Sequence, residues 1–280
     1  MKKLILVTII ACSIITTAHA IYYKIPYFAR SASLGEATVS LLGDASNIFY
    51  NPASLNSKNI SFSLTEWFLD TRAGSCFGSY RYENHFTVGA GVNYFTYGQL
   101  RYFDAEGNPG DYFSASLWQY RLSIAKQLYQ HFSIGIGAKL LDQNIATVRV
   151  TQTTIDYGMI FYSRFVNIGA SLHDPTMCNS GTYYDIGVSV KPISVLIKLS
   201  DWTIIPLNDL LLLVAINYQD NLNWRAGIEY NYKPVSFRIG YNDKRLSYGI
   251  GYHQRGFSFD YALVNYSDLG LTQQFSITIR

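Results

Sequence analysis

The sequence predicts an all-β protein, a transmembrane antiparallel β-barrel of about 14 strands that follows a leader and a short irregular segment. Three observations support this prediction. An apolar N-terminal run ends at a cleavage site of small residues, side chains alternate between polar and apolar from about residue 59 onward, and the composition is aromatic but weakly charged. The chain has 24 Tyr, 16 Phe and 21 Gly, with only 15% charged residues.

The first 20 residues have the pattern of a signal peptide. Two lysines precede an apolar run over residues 4–15, and the small-x-small sequence "AHA" at residues 18–20 suits a signal peptidase. We therefore expect residues 1–20 to be removed on export. A lipoprotein box, "IIAC" ending at Cys12, is the alternative, but the apolar run continues beyond Cys12 and favours the signal peptide.

The alternation that predicts strands is clearest in the final third of the chain. Trp224 and Ile228 share one face of a segment, with Arg225 and Glu229 on the other. A soluble sandwich with an apolar interior would show the same alternation. Strands of about 9 to 11 residues, repeated over roughly 200 residues with aromatic residues near their ends, favour a membrane barrel whose apolar face points outward to lipid.

About fifteen segments qualify as strands, and we place their starts near residues 59, 74, 85, 112, 131, 150, 165, 181, 193, 209, 222, 234, 246, 256 and 270. Bacterial single-chain barrels close with an even number of strands, so one segment is surplus. Strand directions counted from the two ends conflict between residues 181 and 219. The weakest segment there is 193–203, which Pro206 follows, and we predict a bent extension or an irregular inner segment for it.

Two long loops are expected, at residues 98–111 and 173–181, and both fall at the end of the barrel that would face outward. His173-Asp174 falls in the second loop and His253 faces inward, with no nucleophile singled out near either, so we predict no catalytic residues and no enzyme.

Cys76 and Cys178 follow the leader without metal-ligand spacing, and we expect free thiols, no metal and no cofactor. A net charge of +3 with scattered cations gives no support to nucleic acid as a partner.

Ahead of the strands, Ser33-Leu34-Gly35-Glu36 has the form of a capping box, which predicts a helix of about two turns ending near Gly43. The stretch "DASNIFYNPASL", residues 44–55, then fits neither a helix nor a strand period. From these residues alone, a turn leading into the first strand and a segment folded inside the barrel are both open.

The stretch "ARSASLGEATVSLLGDASNIFYNPASL", residues 29–55, resembles the N-terminal signature of the PorV/PorQ proteins within the FadL-like outer-membrane transporters. The segments "WRAGIEYNY", "FRIGYND", "YGIGY", "FDYALVNYSDLG" and "QQFSITIR" follow the closing order of that family. The resemblance implies a 14-stranded barrel at residues 59–280 and an N-terminal hatch at residues 21–58 that folds into the lumen. It also implies a hatch motif made of Ser33, Glu36, Asp44, Asn51, Pro52 and Ala53.

Charged residues collect on the face that would line the lumen. They are Arg121, Lys139, Asp156, Asp185, Arg225, Glu229, Arg238 and Asp260. These residues could pair to brace the wall or hold the hatch, or they could form a polar lining that guides a ligand or contacts a partner. The glycines of "GAGVNY" and "GIGAKL" lie within strands, where we expect them to make room for the hatch rather than to bind phosphate.

The resemblance leaves two classes of function. In the PorV/PorQ branch, the barrel is a component of a secretion and surface-attachment system of the type IX kind and acts by binding proteins. The alternative is a passive transporter for hydrophobic small molecules such as long-chain fatty acids. Both imply an outer-membrane location, with membrane lipids as partners, and a soluble binding module is the third possibility.

Overall fold

The structure is a computed structural model that describes residues 26–44, 46–68, 71–82, 86–175, 182–191, 196–199, 203–206, 209–243, 245–266 and 270–280. The leader expected at residues 1–20 and the cysteine at position 178 lie outside these residues. Cys76, which lies within them, is a free thiol. No helix in the described part of the chain is long and apolar enough to cross a membrane.

Sixteen strands occur among the described residues, and fourteen of them close an antiparallel barrel. In chain order they are β1 Asn59–Glu66, β2 Arg72–Tyr82, β3 Phe86–Phe103, β4 Pro109–Tyr129, β5 Phe132–Ile145, β6 Val148–Tyr162, β7 Val166–His173, β8 Tyr183–Val190, β9 Leu196–Leu199, β10 Thr203–Pro206, β11 Leu210–Tyr218, β12 Leu222–Tyr232, β13 Val235–Asn242, β14 Arg245–Gln254, β15 Phe257–Tyr266 and β16 Gly270–Ile279. Pairing of β1 with β16 closes the barrel.

The surplus segment is the one that the sequence identifies as weakest. β9 and β10 pair only with each other, as a small antiparallel hairpin, while β8 pairs directly with β11 in the wall. The prediction of 14 barrel strands is therefore confirmed, and residues 196–199 and 203–206 belong to the connection between β8 and β11.

Apolar side chains face outward and polar side chains face inward. On β12, Trp224 and Ile228 are 55% and 48% exposed, whereas Arg225 and Glu229 are 5% and 3% exposed. The same alternation runs along β13, β14 and β16. A barrel with this distribution presents its apolar surface to lipid, as the alternation in the sequence predicts.

The strands differ in length, and the loop predicted at residues 98–111 is shorter than expected. β3 and β4 have 18 and 21 residues, whereas β7 and β8 have 8 each. Most of residues 98–111 therefore belongs to β3 and β4, because their ladder continues past a register shift between Thr96 and Gln99. The turn itself spans residues 104–108. There the side chain of Asn108 donates to the carboxylate of Asp104, and this bond holds the pKa of Asp104 below its usual range.

We call the end of the barrel where β1 begins and β16 finishes the terminal end, and the other end the far end. Ile60, the second residue of β1, pairs with Ile279, the last residue of β16. The β3–β4 hairpin projects from the far end, since β2 pairs with β3 no further than Thr96.

The helix predicted from the capping box is wrong. The N-terminal segment, which we define as residues 26–58, has helix α1 at Ala29–Ser33, helix α2 at Asn47–Tyr50 and a 3₁₀ turn at Pro52–Ser54. Gly35 has a φ of 61°, and the amides of Gly35 and Glu36 donate to Ala32 and Ser31, which ends α1 in a Schellman motif. Ser33 is thus the last residue of a helix rather than the cap of the next.

Candidate functional site: the N-terminal segment and the barrel lumen

The N-terminal segment fills the barrel at the level of its two helices. Leu34 lies against β12 at Gly227, Val39 lies against β8 at Gly187, and Ile48 lies against β3 at Gly89. Helix α1 packs on β14 and β15. Because strands from opposite sides of the closed barrel contact one segment, the segment occupies the lumen.

Glycines in the wall allow this close approach. A methyl group on Gly135 would overlap the backbone of Pro52 and Ala53, and one on Gly240 would overlap the backbone at Gly35. The expectation that "GAGVNY" and "GIGAKL" make room for the hatch is confirmed at Gly89 and Gly135. Wall and segment therefore touch through backbone at these glycines.

Asn51 connects separate parts of this packing. Its side-chain amide donates to the carbonyls of Val39, at 2.8 Å, and Met159 on β6, at 3.1 Å. Its side-chain oxygen accepts from the amide of Ala53 at 3.0 Å and begins the 3₁₀ turn, in which Pro52 is the first residue. Asn51 is fully buried, so all three bonds are shielded from water.

One charged cluster joins the segment to the wall near the terminal end. Arg30 of α1 donates to both carboxylate oxygens of Glu229, at 2.9 and 2.8 Å, and also pairs with Asp44. Arg238 donates to Glu229 at 2.6 Å and to Asp260 at 2.7 Å. Arg30 is the residue that sequence reasoning missed here, although it is the single charged residue between positions 26 and 35.

A second charged cluster lies on β4 to β8, with one cation from β12, and in it Arg121 pairs with Asp156 and donates to the carbonyl of Ile48 at 2.6 Å. Arg225 pairs with Asp185 at 3.1 Å. Lys139 pairs with Asp174. All three cations are buried, and each carboxylate partner is buried with it.

His173 belongs to this second cluster, which corrects its expected place in a loop. It is the last residue of β7, it points inward and it is buried. Its Nδ1 lies 3.3 Å from Asp156 and its Nε2 lies 2.9 Å from the carbonyl of Tyr50 in α2. Asp174 follows it and is also buried, so both residues contact the lumen interior instead of solvent.

The predicted site residues thus fall into two sets of contacts. All eight predicted lumen residues point inward, are buried and have charged partners; they are Arg121, Lys139, Asp156, Asp185, Arg225, Glu229, Arg238 and Asp260. Of the predicted hatch motif, Asp44 accepts from Ser46 and Glu36 accepts from Asn242 on β13 at 3.0 Å. Ser33 donates to Arg30 within α1. These contacts favour bracing over an open polar pathway.

One group of inward-facing residues is apolar, unlike most of the lumen wall. Ala73, Phe95, Leu117 and Leu141 point inward from β2 to β5 and are buried together. Trp67, which follows β1, and Tyr97 of β3 pack against them, with the Trp67 and Phe95 ring centroids 5.8 Å apart. We call these six residues the far-end aromatic cluster. It lies between the N-terminal segment and the far opening of the lumen.

The fold is similar to that of solved outer-membrane channels. The toluene transporter TodX of Pseudomonas putida aligns with a TM-score of 0.68 at 10% identity, over 93% of this chain and 98% of that one. The monoaromatic hydrocarbon channel CymD aligns with a TM-score of 0.66 at 10% identity, over 90% and 97%. A Pseudomonas aeruginosa FadL homologue aligns with a TM-score of 0.58 at 12% identity, over 91% and 98%.

No protein-family model and no curated protein matches the sequence. At identities this low, the structural likeness shows the fold alone. The resemblance to PorV/PorQ proteins stays a prediction. Among the described residues, no group of three or more His, Cys, Asp or Glu side chains could hold a metal ion.

Proposed function

We propose that this protein is an outer-membrane channel for small hydrophobic molecules. The far-end aromatic cluster is the observation that supports this function most strongly. Lumens of membrane barrels are ordinarily polar, and apolar residues facing inward on four consecutive strands give a hydrophobic molecule a place to leave water. The structural neighbours TodX and CymD, which are described as hydrocarbon channels, share the fold and support the same function.

The N-terminal segment closes the pathway in this structure. Gln119, one inward position beyond Leu117 along β4, accepts a hydrogen bond from Tyr27 at 2.9 Å. Passage from the aromatic cluster to the terminal end therefore requires the segment to shift within the lumen. Backbone at membrane depth without regular structure is tolerated in this position because the barrel surrounds it.

Reconstituted protein in liposomes tests this function, with toluene and a labelled long-chain fatty acid as probes. Phe95→Ala removes an inward ring and should lower the uptake of at least one probe several-fold. Phe237→Ala is the matched control, because that ring faces outward and is 52% exposed. Equal uptake in the two variants, or no uptake above protein-free liposomes in the wild type, would contradict the proposal.

One observation favours the second candidate, a component of a secretion and surface-attachment system. The β3–β4 hairpin projects beyond the far end and exposes Tyr102, Phe103 and Tyr112, which would suit a protein partner. Shortening this hairpin distinguishes the two functions. Hydrocarbon uptake should persist in the shortened protein if the channel function is correct, whereas a secretion component should lose its partners and the secretion that depends on them.

A further inference from the structure

The outward face of the barrel carries a recess of about 590 Å³ that crosses β1 to β6. Its origin is visible in the strand register. Ile60 pairs with Gly78, Gly78 with Ala90, Ala90 with Leu122, and Leu122 with Ala138, so three small residues fall in one outward row. Most outward positions elsewhere hold large side chains, and this row therefore lies below the surrounding surface.

The shape of the recess suits a thin, flexible occupant. Six strands about 4.8 Å apart make it roughly 24 Å long, measured across the strands. Leu122 stands in the row with 63% of its surface exposed and interrupts the depression. A single acyl chain can pass beside that side chain, whereas a helix about 10 Å wide cannot be seated there.

Cations lie at the terminal end of the recess. Lys58, two residues before Ile60, is exposed and places its Nζ 5.5 Å from the ring centroid of Tyr80, which lies on the same face of β2 as Gly78. Lys126 also faces outward and is exposed, at the terminal end of β4. An anionic phosphate is the natural partner for an exposed lysine such as Lys58 at the membrane interface.

We propose that the recess binds one acyl chain of a membrane phospholipid, with the lipid phosphate held against Lys58. The apolar row accommodates the chain, and the charge complementarity at its terminal end fixes the headgroup. This site lies on the outside of the barrel, separate from the lumen and its aromatic cluster.

Native mass spectrometry of the full chain tests the proposal, with phosphatidylglycerol as the probe after delipidation in detergent. The wild type should bind one phospholipid. Ala90→Leu fills the recess with added methyl and methylene groups and should lower occupancy about tenfold. Lys58→Gln should lower occupancy about fivefold. Ala226→Leu, the same substitution on the outward face of β12, should leave occupancy unchanged.

Equal occupancy in all four proteins would overturn the proposal. A dimer that carries no lipid would also overturn it, because the recess would then bind a second copy of the chain.

Cys76 provides a readout that requires no recess variant, because it lines the recess and its thiol is free. In a Cys178→Ser background, phosphatidylglycerol should slow the alkylation of Cys76 by N-phenylmaleimide several-fold. An unchanged rate would also overturn the proposal.

Discussion

Replacing Glu229 with Gln should release the N-terminal segment from the wall while leaving the barrel closed. Glu229 accepts hydrogen bonds from both the segment, through Arg30, and the wall, through Arg238. Gln keeps the shape of the side chain but removes its charge, so the buried guanidinium group of Arg238 and the partly buried one of Arg30 lose a shared counter-charge. The strand ladders are untouched, and the loss therefore falls on the docking of the segment.

The free energy of docking that is lost in Glu229→Gln depends on the ion pairs that remain. Removing one partner of a buried ion pair typically costs about 3–5 kcal/mol. Here Arg30 keeps Asp44 and Arg238 keeps Asp260, which favours the lower value of about 3 kcal/mol. At 1.36 kcal/mol per tenfold change, the ratio of docked to released segment should fall about a hundredfold.

Limited proteolysis of the folded protein measures the release of the segment, and conductance in planar bilayers measures the opening of the lumen. Both should rise in Glu229→Gln, while the mobility of the unheated barrel on gels stays unchanged. Asp142→Asn is the control, because it breaks the exposed pair with Arg149, which contributes little. Proteolysis and conductance equal to those of Asp142→Asn would refute the reasoning, as would a barrel that no longer folds.

Two other substitutions test the fit between segment and wall. Gly240→Ala should weaken docking of the segment by about 1–3 kcal/mol, because the added methyl group meets the backbone at Gly35. Proteolysis of the segment should therefore be faster than in Gly74→Ala, where the added methyl group faces outward. Equal rates in the two variants would contradict this prediction. Asn51→Ala removes three hydrogen bonds to backbone groups and should cost about 3 kcal/mol. The loss should be seen as faster hydrogen exchange at the Ala53 amide, and exchange as slow as in the wild type would argue against this role.

The barrel was predictable because its physical cause is local. A strand between lipid and a polar lumen must alternate, and residues such as Trp224 and Arg225 reveal this alternation without any knowledge of their partners. The surplus segment was also predictable, since closure by an even number of strands is a property of the whole chain. The lengths of β3 and β4 were not, because their ladder continues through Gly98, a residue that sequence reasoning assigns to a loop.

The interior of the lumen was harder to predict, because its structure depends on contacts between distant residues. Leu34, Ala37 and Leu41 have helical spacing, yet they are buried against β11 in an irregular segment. The pairing of Arg30 with Glu229 joins residues 199 positions apart, and no local pattern indicates it. Sequence analysis identified the inward charges of the wall but not the cation on the segment that binds them.

The most direct test of the account is to lock the N-terminal segment in place. The amide of Ala29 donates to Ser276 at 2.8 Å, so cysteines at these two positions should lie within reach of a disulfide in a background without Cys76 and Cys178. We predict that liposomes carrying the oxidised Ala29→Cys/Ser276→Cys protein take up neither toluene nor a long-chain fatty acid, and that reduction restores uptake. Uptake that is the same in both states, or a disulfide that does not form, would contradict a lumen closed by this segment.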